Sequence, residues 1–218
     1  MRKLVLCFAI LIAAYSAAYG GIFKDSVEFE DLSQLSAEGL QALKETEFEV
    51  FLANVKVAAA KVAQERAKDP LKEAERLLEK EQLDLKAAKA EHEAAEAKQE
   101  KERLAKAEKN VQSAKEAVKK AELFVRWKNK EVKVKKAELD KAKLELELAE
   151  AKRDLARVSR LVGEKVPSAS KYSLKDYENK INKIQEKIEK ALDKQKSEIQ
   201  DAQQLKAQYE KATEQKTI

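Results

Sequence analysis

The longest stretch of uninterrupted helix-forming sequence runs from Pro70 to Val162 and contains no glycine and no further proline. Ala, Glu, Lys and Leu dominate it, and these residues have high helix propensity. Strands and tight turns rely on Gly, Pro and β-branched runs, and the 218-residue chain has only four Gly and two Pro. The sequence therefore predicts an all-α fold. We expect an extended antiparallel coiled coil of three long helices, in which a long central helix has a shorter helix folded back at each end.

A heptad repeat marks the packing seam of the central helix. One apolar residue recurs every seven positions, and a second, mostly Ala, position accompanies it. Small Ala side chains let two helix backbones approach closely. The first set is Leu104, Val111, Val118, Val125, Val132, Leu139 and Leu146, and the second is Ala107, Ala114, Ala121, Lys128, Lys135, Ala142 and Ala149.

The predicted helices span residues 34–68, 70–162 and 173–214. Asp69-Pro70 predicts a turn between the first two, because Asp caps helices well and Pro is tolerated in a first turn. The alternative is a kink in one continuous helix. Gly163 is expected to end the second helix by adopting a left-handed conformation, followed by a turn up to the predicted N-cap at Ser173.

Short turns force antiparallel neighbours, which sets the expected pairing. The first helix should lie along residues 70–104, and the third along residues 127–162. This leaves the seam over residues 104–125 without a partner in its own chain, and we expect a homo-oligomer or another protein to cover it. The alternative is that the shorter helices reach further. The apolar face expected to pack in the first helix comprises Phe48, Phe51, Val55, Ala58 and Val62.

The N-terminus has the pattern of a secretory signal peptide over residues 1–20. Arg2 and Lys3 precede an apolar run over residues 4–14, and small residues follow. An uncleaved membrane anchor is the alternative. Residues 21–33 are a leader of uncertain order, and residues 34–218 form the helical coiled-coil domain. The protein is predicted to be exported, to a periplasm or outside the cell, and to lose its single cysteine, Cys7, with the signal peptide.

The predicted turn after the central helix carries a more specific pattern. Arg157, Leu161 and Ser168 follow the spacing R-x-x-x-L-x-x-x-x-x-x-S. Residues 132–213 resemble the hairpin tip of periplasmic adaptor proteins, also called membrane fusion proteins, which join inner-membrane transporters to an outer-membrane duct. The resemblance implies that these three residues contact a duct or transporter component. It does not extend to the family's lipoyl and β-barrel domains, and Ser173 offers a second match to the family serine.

A basic segment with one aromatic residue is a further candidate surface. Its positive charge would suit anionic lipid headgroups at a membrane surface or an acidic partner. The alternative is that Trp127 packs beneath the third helix near Tyr209. The segment contributes Arg126, Trp127, Lys128, Lys130 and Lys133.

The remaining sequence argues against catalysis and against cofactors. His92 begins H-E-x-x-E, which lacks the second His of a zinc protease helix. The net charge of +5 comes from closely alternating acids and bases, unlike the one-sided charge of a nucleic-acid binder. We expect a non-enzymatic exported coiled-coil interaction or scaffold protein, with no metal and no cofactor. The alternatives are a periplasmic holdase-type chaperone and a passive envelope spacer.

Overall fold

A computed structural model describes residues 27–214; the predicted signal peptide lies outside the described residues. Those residues form helices and no strand, which confirms the all-α class. Two short helices precede three long ones, and a 3-10 turn precedes the last. The elements are α1 (Phe29–Leu32), α2 (Ala37–Ala42), α3 (Lys44–Ala97), α4 (Lys101–Gly163), the 3-10 turn (Pro167–Lys171) and α5 (Leu174–Glu214).

Helices α3 and α4 form an antiparallel hairpin along their whole length. Beside the turn, the His92 Nε2 atom lies 4.0 Å from a carboxylate oxygen of Glu108. At the opposite end, Arg157 pairs with Glu47. Tight Ala contacts such as those of Ala95 and Ala107, which are 0% and 1% exposed, occupy the interface.

The position of the first break was predicted wrongly. Helix α3 continues through Asp69 and Pro70, and the chain turns only after Ala97. Pro70 lacks a backbone N–H and costs about 3 kcal/mol inside an isolated helix. Packing along α4 on both sides of Pro70 outweighs that local cost.

Helix α5 runs antiparallel to the C-terminal half of α4. Lys130 Nζ lies 3.0 Å from Glu198, and Lys187 Nζ lies 3.8 Å from Glu147. The contacts of α3 and of α5 are made with α4, and the two have almost none with each other. Helix α4 is therefore the middle member, covered by two helices over its second half and by one over its first.

The heptad positions of α4 are all buried or half-buried, including Lys128 and Lys135. The apolar stripe of α5 is likewise turned inwards, and Ile184 within it is 1% exposed. Its first members, all buried or half-buried, are Leu174, Tyr177, Ile181, Ile184 and Ile188. The premise of a free seam over residues 104–125 is wrong, because α3 extends to Ala97 and covers it. The misplaced break at Pro70 caused this error, since it assigned half of α3 to the central helix.

Both α3 and α4 end in the same backbone motif. Gln99 and Lys165 adopt left-handed conformations, with φ of 56° and 55°. The N–H groups of the next residues, Glu100 and Val166, each donate to a carbonyl five residues back, as in a Schellman motif. Gly163, expected to be the left-handed residue, is instead the last helical residue, and its φ is not positive.

Candidate interaction surfaces

The end of the α4–α5 turn is covered by an N-terminal cap, which we define as residues 27–43. The cap contributes four side chains to the larger apolar cluster found within residues 27–214, and the turn region contributes the others. The cluster consists of Val27, Leu32, Leu35, Leu43, Val158, Leu161, Val166 and Tyr177.

A glutamate of the turn fastens the cap through hydrogen bonds. The Ser36 backbone N–H donates to Glu164 Oε2 at 2.7 Å, and the Ser36 hydroxyl donates to Glu164 Oε1 at 2.9 Å. The Ser36 hydroxyl also accepts from the Gly39 N–H, so Ser36 is the N-cap residue of α2. A Cβ at Gly39 would collide with Glu164 Oε1, so a larger residue here would displace the Glu164 carboxylate from this position.

A tyrosine–aspartate pair forms the second attachment. The Tyr172 hydroxyl donates to Asp31 Oδ2 and accepts from the Glu28 backbone N–H at 3.3 Å. Burial, and then this bond to Asp31, raise the pKa of Tyr172 to about 12. The pKa of Asp31 is lowered, chiefly by the hydrogen bond from Tyr172 and next by the neighbouring Ser168. The pair therefore holds the protonated tyrosine and the charged aspartate together.

The three residues matched to the adaptor family lie beneath or beside this cap. Arg157 is 8% exposed, and its Nε donates to Glu47 Oε1 at 3.2 Å. Leu161 is 0% exposed within the apolar cluster. The Ser168 Oγ is buried and, among the described residues, meets no partner at full hydrogen-bonding geometry. Arg157 and Leu161 therefore offer little surface to a duct in this conformation, and their predicted contact stays a prediction.

Burial has a second consequence for Arg157. It lowers the pKa of the guanidinium, as does the nearby Arg153, while Glu47 and Asp154 act in the opposite direction. An arginine remains charged under such opposing effects, because its ordinary pKa lies far above neutral pH. Arg157 is thus a buried cation held by two carboxylates.

The predicted basic-aromatic segment is partly used for internal packing. The Trp127 ring lies 5.7 Å from that of Tyr209, between centroids, and Lys128 Nζ lies 3.8 Å from the Trp127 ring. Lys130 is paired with Glu198 and Asp201 of α5. The packing alternative for Trp127 is therefore what the structure shows. Arg126 and Lys133 remain exposed and are the part of this segment open to an anionic partner.

Side chains near the α3–α4 turn form a shallow open groove that includes His92, Glu93 and Glu108. Within residues 27–214, no group of three metal-ligating side chains comes together. Within the same range, no helix is both long and apolar enough to cross a bilayer.

A surface that the sequence did not predict lies on α3. We call it the apolar face, and it comprises Phe48, Phe51, Leu52, Val55 and Val62, which are 59%, 49%, 44%, 49% and 50% exposed. Most of these residues were expected to pack inside the molecule, and that expectation is wrong. Helix α3 instead packs on α4 through the opposite line, which includes the buried Val50 and Ala53.

The error has a physical origin in the composition of residues 48–63. Only Glu49, Asn54, Lys56 and Lys61 interrupt an otherwise apolar run. Such a segment presents two apolar lines on opposite sides of the helix, and periodicity alone cannot say which one packs internally. The presence of a second apolar line in the sequence could have indicated a second partner for α3, because a helix that is apolar all round is normally covered on both sides.

No protein-family model, curated protein or solved structure matches the chain.

Proposed function

We propose that this chain is an exported, non-enzymatic coiled-coil protein that acts as an interaction partner or scaffold, and that the apolar face of α3 is its binding surface. The observation that carries the proposal is the exposure of about half of each of five large apolar side chains along one line. Contiguous apolar patches of a few hundred Å² on soluble proteins usually mark interaction sites.

The arrangement of the helices supports a scaffold. At 1.5 Å per residue, the 63 residues of α4 extend about 95 Å. Most of the ion pairs along the rod join Lys or Arg to Asp or Glu three or four residues away on the same helix. Such pairs keep the helices soluble and hold few groups in fixed geometry for chemistry. A passive spacer would need this length, but it would not need the apolar face.

The resemblance to adaptor proteins gives a more specific version of the proposal. In it, an outer-membrane duct or transporter component contacts the turn over residues 157–173. Because the cap covers Leu161 completely, this version requires residues 27–43 to move away from the turn. The exposed Ser170 and Lys171 lie on the outside of the same turn and would meet a partner first.

Site-specific photo-crosslinking in cells tests the proposal. A photoreactive residue replaces Val55 in the apolar face, and a matched control replaces Leu83, which is 58% exposed on the same helix. We expect a discrete crosslinked protein band from position 55 and none from position 83. Equal crosslinking at both positions, or none at either, would contradict the proposed surface. A third probe at Ser170 tests the adaptor-like version, which expects a band from that position.

A further inference from the structure

We infer that the apolar face of α3 is covered by the same face of a second copy of this chain, in an antiparallel dimer. This inference rests on the proposed function and names the partner of that surface. It differs from the predicted assembly through residues 104–125, which α3 covers within one chain.

The position of the apolar face leaves room for a second copy. Successive residues of an α-helix are rotated by about 100°, so the Phe48–Val55–Val62 line lies about 180° from the Val50–Ala53 line that packs on α4. Helix α5 makes almost no contact with α3. Within residues 27–214, the face therefore points away from α4 and α5, and a second α3 can lie along it without meeting either helix.

The sizes of the side chains favour an antiparallel pairing. If Val55 lies across from Val55 of the second copy, Phe48 lies across from Val62 of that copy. In the same register, large residues lie across from small ones, as close packing requires. The other facing pairs are Phe51 with Ala59 and Leu52 with Ala58.

A parallel pairing would fit poorly by the same measure. It would place Phe48 and Phe51 across from themselves at one end of the face. Ala58 and Ala59 would lie across from themselves at the other end. The first end would be crowded and the second would leave a gap, and both defects destabilise an apolar interface.

The charges at the ends of the face do not select the orientation. In the antiparallel register, Lys44 lies across from Arg66 of the second copy, and Glu45 lies across from Glu65. A parallel pairing also places like charges across from each other. The orientation therefore depends on the sizes of the apolar side chains.

The area available corresponds to a small interface near the lower limit for a specific dimer. At about half exposure, two Phe and three aliphatic side chains present roughly 400 Å² per copy, since one aromatic side chain alone buries 150–250 Å². Two copies therefore bury roughly 800 Å² of apolar surface. The flanking charged side chains bring the total towards the roughly 1,200 Å² at which specific interfaces begin.

Sedimentation equilibrium of the full-length purified protein is the first test. We expect a concentration-dependent dimer for the wild type and a dissociation constant at least tenfold higher for Val55→Glu. The matched control, Leu83→Glu, introduces the same charge at an equally exposed site on the same helix and should dimerise like the wild type. Circular dichroism of each variant checks that helix content is unchanged.

Disulfide formation tests the orientation. In a Cys7→Ser background the chain has no cysteine, so single cysteines report one contact each. Oxidising a mixture of Phe48→Cys and Val62→Cys proteins should give a mixed disulfide dimer. Phe48→Cys alone should remain largely monomeric on a non-reducing gel, because the two copies of position 48 lie at opposite ends.

Each outcome bears on a separate claim. A wild-type protein that stays monomeric at high concentration overturns the inference, even if position 55 crosslinks to another protein in cells, and the proposed binding surface then stands. Efficient disulfide formation by Phe48→Cys alone overturns the antiparallel orientation. Dimerisation that survives Val55→Glu shows that copies associate elsewhere, and it also overturns the inference.

Discussion

Arg157 lies within a buried group of charges between α3 and α4. Asp154, 2% exposed, accepts from Arg153 at 3.0 Å and lies 3.5 Å from Arg157, which also binds Glu47. Two cations and two carboxylates thus neutralise one another where the cap meets the helices. Removing one partner of a buried pair is costly, because it leaves the other charge poorly compensated in a region of low dielectric.

We expect Arg157→Met to lower the free energy of unfolding by about 2 kcal/mol. This is below the roughly 3–5 kcal/mol found when a fully buried pair is broken, because Arg153 still neutralises Asp154 and Glu47 is 32% exposed. Urea denaturation followed by circular dichroism measures the change. Arg160→Met, at an exposed position three residues along α4, is the control and should stay within about 0.5 kcal/mol of the wild type. Equal losses in both variants would contradict the role of burial.

The Tyr172–Asp31 pair should make the stability of the cap depend on alkaline pH. The pKa of Tyr172 is about 12 in the folded protein against 10.0 for an ordinary tyrosine. Its stabilising contribution is therefore complete below pH 10 and is lost as the pH rises from 10 towards 12. We expect the melting temperature of the wild type to fall more steeply over this range than that of Tyr172→Phe.

Lysines titrate over the same range, but they are common to both proteins, so the difference between the two profiles isolates Tyr172. The variant should also start from a lower stability at pH 7, by about 1 kcal/mol, because it lacks the hydrogen bond to Asp31. Parallel profiles would show that Tyr172 ionises normally in the folded state.

Among the elements, the two helix ends show what sequence patterns could and could not predict. The break after α4 was predicted because Gly163 and Pro167 mark it. The break after α3 was missed because Lys98, Gln99 and Glu100 carry no turn signal, whereas Asp69-Pro70 does. At both turns the packing of the long helices decides where the chain reverses direction. The residue in the left-handed conformation at each turn is polar rather than glycine.

We expect glycine at either left-handed position to stabilise the protein. A non-glycine residue in this conformation costs about 1–2 kcal/mol. Glycine avoids that cost, but its greater freedom in the unfolded chain cancels part of the gain in stability. Gln99→Gly and Lys165→Gly should each raise the free energy of unfolding by about 1 kcal/mol in chemical denaturation.

Gly163→Ala is the informative contrast. Nothing lies within 4 Å of an added Cβ there, so this variant should be neutral or stabilising. Destabilisation by Gly163→Ala would instead indicate that the turn needs glycine at that position.

The sequence predicted which faces of α4 and α5 are buried better than it predicted which helix covers each face. Every seam position of α4 and the whole stripe of α5 face inwards, since each of these helices has an apolar pattern that its neighbours cover. In α3 the choice between two apolar lines depended on the position of the turn, which the sequence did not reveal. The burial of Arg157 and Leu161 was also missed, because residues 27–43 were taken as a leader and a helix start rather than as a cap.

For the whole molecule, the order α3–α4–α5 leads to a prediction about length. A monomer should measure on the order of 100 Å, set by α4. In the proposed dimer, Val55 lies about 60 Å from the end of α3, so the two hairpin turns point in opposite directions and lie about 130 Å apart. Small-angle X-ray scattering should give the longer maximum dimension for the wild type and the shorter one for Val55→Glu. The same dimension for both proteins would contradict the antiparallel arrangement.

The uneven cover of α4 has a mechanical consequence. Tyr209, near the end of α5 at Glu214, stacks on Phe124 of α4. From about that level to the turn at Gln99 the rod is mainly two helices thick, and on the other side it is three. A beam that thins along its length bends mainly in its thinner part. Joined through its thicker part, the dimer would be a stiff bar with a compliant arm at each end, able to follow two attachment points whose separation fluctuates.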